Sequence, residues 1–343
     1  MRSIYRSSTR FGNVKNRFSS VCWGVIAALT GLAPLGDVSG QPVIPRVGIV
    51  AVDTAPGSPA AGNRSDLIRK ALMEQGWIDG ENVSIVVRNA RGNASGFEKA
   101  VSELVRLEVD AIWADGTPAL RAAQTATRTI PIVVNDYTTD PVAEGYAESY
   151  RRPGGNVTGV FLDAPAFSGT WLSLLMETIP DMSLVAVLWD PRPGDAHLRA
   201  LEAISPSFGI ELQVLEVRSP SDIDSAGAAL DDRAQALIVL PAPMSYAERV
   251  RIAELALRED LLAISIFPAF AAEGGSLAYG PDLDAVTRRV AALMTKVLNG
   301  EDVGRLPIER PAKFKLLVNQ EAAQAIGVTI PQSVLLRADK VLR

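Results

Sequence analysis

The chain has one cysteine and one histidine in 343 residues, and those two scarcities exclude most catalytic chemistry. Cys22 lies close to the N-terminus, so the rest of the chain forms no disulfide and offers no thiol nucleophile or thiolate metal ligand. His197 stands alone in "GDAHLRALEA", at what reads as the solvated start of a helix. Histidine chemistry requires partners, and with none in view His197 is expected to be a surface residue rather than a base or a ligand. Zinc sites and Cys/His nucleophile pairs are thereby excluded, and neither a metal nor a cofactor is expected. The chain also lacks a GxSxG elbow, a GxxxxGKS/T phosphate loop and a GxGxxG opening a helix after the first strand. Nor does any window approach the eighteen or so uninterrupted apolar residues of a membrane span. What remains is ordinary globular material, 48% apolar and 21% charged, long enough that two lobes are the natural expectation.

The N-terminus differs from the rest. Arg2, Arg6, Arg10, Lys15 and Arg17 precede the apolar run "VCWGVIAALTGLAPLG", and "DVSGQ" then supplies small residues suited to cleavage. This reads as a secretory signal peptide over residues 1–40 in preference to a membrane anchor, because the run is short and interrupted by Gly, Thr and Pro. Cys22 begins the apolar run, whereas a lipid-attachment cysteine would end it. Removing residues 1–40 takes five basic residues and Asp37 from a chain at −5, leaving −9. An acidic exported protein is a poor partner for nucleic acid, which needs clustered Lys and Arg.

Beyond the signal, short β-branched runs alternate with amphipathic stretches, the pattern of βα units around mostly parallel sheets. Strands are expected at 46–52, 83–89, 110–114, 130–135 and 156–161, and a second series at 184–190, 211–217, 236–241, 261–266 and 276–280. Helices read at 64–76, 96–108 and 247–260 from three-and-four spacing, and these are taken as core. Two successive series imply an α/β protein of two Rossmann-like lobes: residues 41–160, then 161–280, with 281–343 supplying a helix and crossing segments that complete both. Between the series, "RRPGGNVTG" (151–159) reads as Arg151 and Arg152 finishing a helix that Pro153, Gly154 and Gly155 stop. It then becomes the approach to the first crossing, with Thr158 to Phe161 near a hinge.

Open α/β sheets bind ligands beyond the carboxyl ends of their strands, and small polar residues open helices at those places here. In "WADGTPALRAAQ", Gly116 and Thr117 form a turn and cap with Pro118 at the first helical position, leaving amides for a carboxylate. "VNDYTTDPVAEG" repeats the design with Asp140 before Pro141, and sets Asp136 and Tyr137 beside it. Asp53 to Ser58 provides a third such loop. From the second series the matching candidates are Phe161 and Asp163, Trp189 and Asp190, "PAPMSY" (241–246) and "FPAF" (267–270). Converging polar caps with an aromatic rim fit a small polar or zwitterionic ligand that has an apolar part.

"RPGGNVTG" with "IPIV" and "DPV" upstream, "LLMETIPD" downstream, then "AEGGSLAYGPDL", "VLNGEDVGRLPIERPAKFKLLVN" and the terminal "AIGVTIPQSVLLRADKVL" together resemble one family from about residue 45 to the end. It is the ABC-transporter solute-binding proteins of tryptophan/tyrosine type, with the periplasmic binding protein type I fold. The resemblance implies two lobes joined by three crossings, closing on an aromatic or branched amino acid or similar molecule and presenting it to a membrane permease. It places Gly116, Thr117, Asp140, Pro141 and Tyr279 toward the cleft. "VNDYTTDPV" departs from the family in being more acidic and bulkier than usual. The expectation is therefore a monomeric, periplasmic, non-enzymatic binding protein. Two alternatives stay open: a secreted hydrolase or isomerase using Asp136 and Asp140, and a ligand-sensing partner of a membrane receptor.

Overall fold

Buried parallel strands read as continuous β-branched runs because helices cover both faces of their sheet. In the computed structural model, which describes residues 44–51, 64–90 and 94–343, the chain folds in that way. The expected signal peptide, Asp53 and Ser58 lie outside those residues. The first series comprises β1 (Arg46–Ala51), α1 (Arg64–Glu74), β2 (Ser84–Asn89), α2 (Ala94–Arg106), β3 (Ala111–Asp115), α3 (Thr117–Ala126), β4 (Ile132–Asp136) and β5 (Val157–Phe161). The second comprises α4 (Ala164–Thr178), β6 (Leu184–Trp189), α5 (Ala196–Ile204), β7 (Glu211–Glu216), α6 (Pro220–Ala228), β8 (Ala236–Val239), α7 (Pro243–Ala247), α8 (Arg249–Arg258), β9 (Leu262–Ser265), α9 (Pro268–Ala272) and β10 (Leu277–Pro281). The tail adds α10 (Leu283–Leu298), β11 (Phe314–Asn319), α11 (Gln320–Ala325), α12 (Gln332–Arg337) and β12 (Lys340–Leu342). All ten expected strands are present; β11 and β12 lie in the tail that reads only as extended chain and helix.

The first sheet is parallel throughout, in the order β2-β1-β3-β4-β5. The second runs β12-β11-β10-β9-β8-β6-β7, parallel except where β10 meets β11. Alternate residues of β1 point to opposite faces, so Val47 and Ile49 join Ile68, Leu72, Val290 and Met294 on one side. On the other side Val50, Ile112 and Val134 pack on Phe97, Leu104 and Leu120. The second sheet repeats the sandwich, with Trp171, Leu175 and Leu201 over Val185 and Val187, and Ile223 and Ile252 over Ala186 and Leu188.

α10 follows a strand of the second sheet yet packs on the first, so the chain returns between β10 and α10 and must cross again before β11. With the passage from β5 to α4, this makes three crossings. The third runs alongside β5: Phe161 donates its amide to the Glu309 carbonyl (2.9 Å) and Glu309 donates to that of Gly159 (2.9 Å). Arg310 ties the crossings together by donating to the Leu162 carbonyl (2.7 Å).

One local expectation fails. Arg151 and Arg152 close no helix, because residues 137–156 form turns. Asp140 accepts from the Val142 amide (2.9 Å) and the Ala143 amide (3.2 Å), while Tyr146 and Ala147 both donate back to the Pro141 carbonyl. A side-chain turn thus takes the amides a helix would use, and Gly145 at φ 73° ends it.

Candidate functional site

In each sheet the strand order reverses once, between β1 and β3 and between β6 and β8. The carboxyl ends around these reversals face one cavity of about 300 Å³. Its first wall comes from the ends of β3 and β4 with the starts of α1 and α3; its second comes from the loops after β6, β8 and β9. The cavity adjoins a hollow of about 420 Å³ with which it shares Phe97, Pro118, Pro193 and Pro243.

The first wall is polar, and most of its side chains are hydrogen-bonded to one another. Gly116 occupies the N-cap of α3 at φ 89°, a conformation natural only to glycine, and no side chain caps the helix. Thr117, the residue best placed to help, donates instead to Asp136 Oδ1 at 2.7 Å. The same oxygen accepts from the amides of Thr138 (2.8 Å) and Thr139 (3.1 Å), while Asp136 Oδ2 is buried without a partner. The first-turn amides of α3 are therefore left to serve an anion.

Beside them, Arg64 forks onto Asp115, Nε to Oδ2 at 2.9 Å and Nη2 to Oδ1 at 3.0 Å, and its Nη1 donates to Thr287 at 3.0 Å. Asn135 donates to Asp115 Oδ1 at 2.6 Å and accepts from the Trp113 indole at 3.1 Å. Burial alone would lower the pKa of Arg64; the charge and bidentate bonds of Asp115 outweigh it and raise that pKa. Tyr137 follows, packed against the cores of both sheets, its hydroxyl buried without a hydrogen bond. Burial raises its pKa, so the phenol stays protonated and remains a donor.

The second wall is apolar. Pro193, Pro241, Ala242, Pro243, Tyr246 and Phe267 line it, with Tyr246 and Phe267 edge to face at 5.0 Å. Arg249 sits 4.8 Å over the Tyr246 ring and pairs with Glu273 at 2.9 Å, fixing the ring from behind.

Of the residues expected at the site, Gly116, Thr117, Asp136 and Tyr137 lie on this cavity, and segments 241–246 and 267–270 supply the aromatic wall. The others stand elsewhere. Asp140 is exposed and accepts from the Tyr150 hydroxyl at 2.8 Å; Pro141 continues that turn. Phe161 is in the first lobe's core, and Asp163 caps α4 through the Ala166 amide at 3.4 Å. Trp189 donates to the Gly194 carbonyl at 3.0 Å, and Tyr279 is stacked between Phe167 and Phe314 at 5.4 and 5.7 Å. Asp140→Ala is expected to change ligand affinity by less than about twofold while costing about 1 kcal/mol of stability, as loss of a cap does; calorimetry and urea unfolding measure the two.

Arg64, Asp115 and Asn135 escape a reading by motif. One signal was available: Arg64 opens a helix, where the dipole disfavours a cation, and such a breach of local preference marks a residue held for another purpose. The surface reading of His197 is corrected outright. The ring is 3% exposed, stacked at 5.9 Å on Trp171, with Nε2 on the Tyr137 carbonyl of the other lobe. Polar neighbours in sequence gave no hint of the aromatic pocket that α4 supplies.

Among the described residues no group of His, Cys, Asp and Glu is arranged to hold a metal, and no helix is long and apolar enough to cross a membrane.

A family model described as "ABC transporter substrate binding protein" matches residues 50–342. The chain is 26% identical over 262 residues to a tyrosine-binding protein of Clostridioides difficile, covering 76% of this chain and 75% of that one. Among solved structures, a conserved domain protein of Vibrio cholerae superposes with a TM-score of 0.78 at 23% identity, covering 87% of this chain and 99% of that one. An ABC domain from Streptococcus pneumoniae in complex with L-tryptophan gives 0.77 at 22%, covering 87% and 100%. The two-lobed α/β architecture is that of the type I periplasmic binding proteins. The chain belongs to the ABC transporter substrate-binding protein family.

Proposed function

We propose that this chain captures a free amino acid with an aromatic or branched side chain in the cavity between its lobes and presents it to an ABC permease. The observation that carries the reading is the opposition of the walls. An uncapped helix start beside Arg64 suits a carboxylate, the unpartnered Asp136 oxygen suits an ammonium group, and the Tyr246–Phe267 slot suits an apolar side chain. The tyrosine-binding relative and the tryptophan-bound structural neighbour support an aromatic ligand. Only with the lobes together does a ligand touch both walls, so binding energy favours closure, and closure is the state a permease would read. In this reading the chain is exported, loses residues 1–40, works as a monomer and leaves its ligand chemically unchanged.

The test is a thermal-shift screen of residues 41–343 against amino acids, aromatic acids, purines and short peptides, followed by calorimetry and recovery of the ligand. A true ligand at a hundred times its Kd adds about 2.7 kcal/mol, which raises Tm by roughly 4 °C for a chain of this length. L-Tryptophan or L-tyrosine is expected to do so. A shift only with purines or peptides would overturn the ligand class, and a converted ligand would overturn the binding role.

A further inference from the structure

Beside the cavity the imidazole of His197 hydrogen-bonds from one lobe to the backbone of the other, and the ligand-binding reading assigns it no role. It sits on α5 of the second lobe, edge-on to Phe167 at 6.1 Å and stacked on Trp171 at 5.9 Å, both from α4. Its Nε2 meets the carbonyl oxygen of Tyr137, whose own side chain lines the cavity. A carbonyl accepts only, so Nε2 carries the proton, and the neutral ring leaves Nδ1 bare. That Nδ1 is buried and has no partner. A second proton there would make a buried imidazolium with one donor unsatisfied.

We propose that His197 is a positioning residue that latches Tyr137 across the lobes only while its ring is neutral, so that ligand affinity falls as the surroundings become acidic. The proposal rests on ligand binding between the lobes. Charged and titratable groups on the surrounding elements do not supply an alternative partner. On α5 and its approach, Asp195 pairs with Arg199 and Asp190 with Arg192. On α4, Glu177 pairs with Arg337 and Asp163 caps its own helix. On the facing segment Asp136 is engaged by Thr117 and Asp140 by Tyr150, and the Tyr279 ring is stacked on Phe167. Burial is the main influence on the ring, lowering its pKa to about 4, against a smaller upward pull from the Tyr137 carbonyl. The sign follows: a latch whose pKa is depressed in the closed form is whole above the free value of about 6.5 and is lost as pH falls toward 4. Among the described residues one other side-chain bond joins the lobes nearby, Arg121 Nη1 to the Arg192 carbonyl at 2.8 Å.

Dissociation constants for L-tryptophan and L-tyrosine at pH 7.5 and 5.0 test this. Neither probe changes its own charge between those values. Wild-type affinity is expected to fall about tenfold between them. In His197→Gln, which keeps a side-chain N–H for the carbonyl but has no proton to gain, the two constants should agree within about twofold. Arg121→Ala loosens the lobes without touching the titrating group, so its affinity should be weaker at both pH values with the tenfold ratio preserved. Equal ratios in wild type and His197→Gln overturn the proposal while leaving ligand binding intact. Should His197→Gln not fold, the imidazole signal of this sole histidine decides, because linkage is reciprocal. Its midpoint must be lower in the amino-acid complex than in the free chain, and equal midpoints overturn the latch. If neither amino acid binds at any pH, the ligand reading fails on its own. The latch is then read from small-angle scattering of the free chain: expansion between pH 7.5 and 5.0 supports it, and an unchanged radius overturns it.

Discussion

Gly159→Ala is expected to destroy the first lobe, costing at least about 4 kcal/mol, enough to remove most folded protein from a marginally stable domain. Gly159 lies in β5 at φ 153°, paired with Val134 of β4. A Cβ there would stand 2.0 Å from the Val134 carbonyl oxygen and 2.8 Å from its Cγ1. Backbone inside a parallel sheet yields only if the strands separate, and β5 has little freedom to move. Its Thr158 hydroxyl donates to the Leu306 carbonyl at 2.9 Å and the Gly159 carbonyl accepts from Glu309, so shifting β5 also shifts the third crossing. Gly80→Ala is the control, at a positive φ of 84° but with open space around the new methyl, and about 1 kcal/mol is expected. Urea unfolding of both variants measures the contrast; a Gly159→Ala protein within 1 kcal/mol of wild type would show that β5 is not held as described. Gly280 makes the same demand in the second sheet, where a Cβ would meet the Ile266 carbonyl at 2.1 Å.

The contrast between legible and hidden features has a physical basis. Among β1 to β10 the central strands announce themselves because burial on both faces selects apolar, β-branched runs bounded by turns, a strong signal over a few residues; the edge strands β2 and β7 are only partly buried and are marked by the turns around them. β11 carries a lysine and is only half buried at its start, so its run is no more strand-like than the proline-rich chain before it. At the cavity, Gly116, Thr117, Asp136 and Tyr137 could be read because strand ends face ligands in this architecture, whatever their partners. Arg64 could not, since the apolar spacing of its helix explains the window without reference to the one residue that points elsewhere. Aromatic residues at strand ends were ambiguous for a related reason. Trp189 and Tyr279 pack against the core while Tyr246 and Phe267 line the cavity, and nothing within each short segment distinguishes the two. His197 depends on three segments distant in sequence, α4, α5 and the end of β4. No local pattern encodes that meeting.

Arg64→Leu is expected to weaken binding of L-tryptophan or L-tyrosine on the order of 100-fold, the largest functional loss the cavity allows from one substitution. Among the described residues the guanidinium is the one cationic group on the cavity wall, which also carries Asp115, Asp136 and Asp284. With Arg64 present, Asp115 is neutralised through two bonds and the uncapped start of α3 can receive a carboxylate. Without it, three carboxylates face the ligand's own, and repulsion is added to the lost attraction. Stability should fall as well, by about 2 kcal/mol, because Asp115 keeps its bond from Asn135 but loses its counter-ion. The double variant Arg64→Leu/Asp115→Leu separates the two effects: removing both charges should restore most of the stability and little of the affinity. Arg64→Lys keeps the charge without the fork and should fall between. Tryptamine, which lacks the carboxylate, provides the chemical counterpart. It is expected to bind wild type far more weakly than L-tryptophan, and that preference should shrink in Arg64→Leu. If Arg64→Leu binds L-tryptophan within fivefold of wild type, the carboxylate is received elsewhere, and the polar wall serves the fold rather than the ligand.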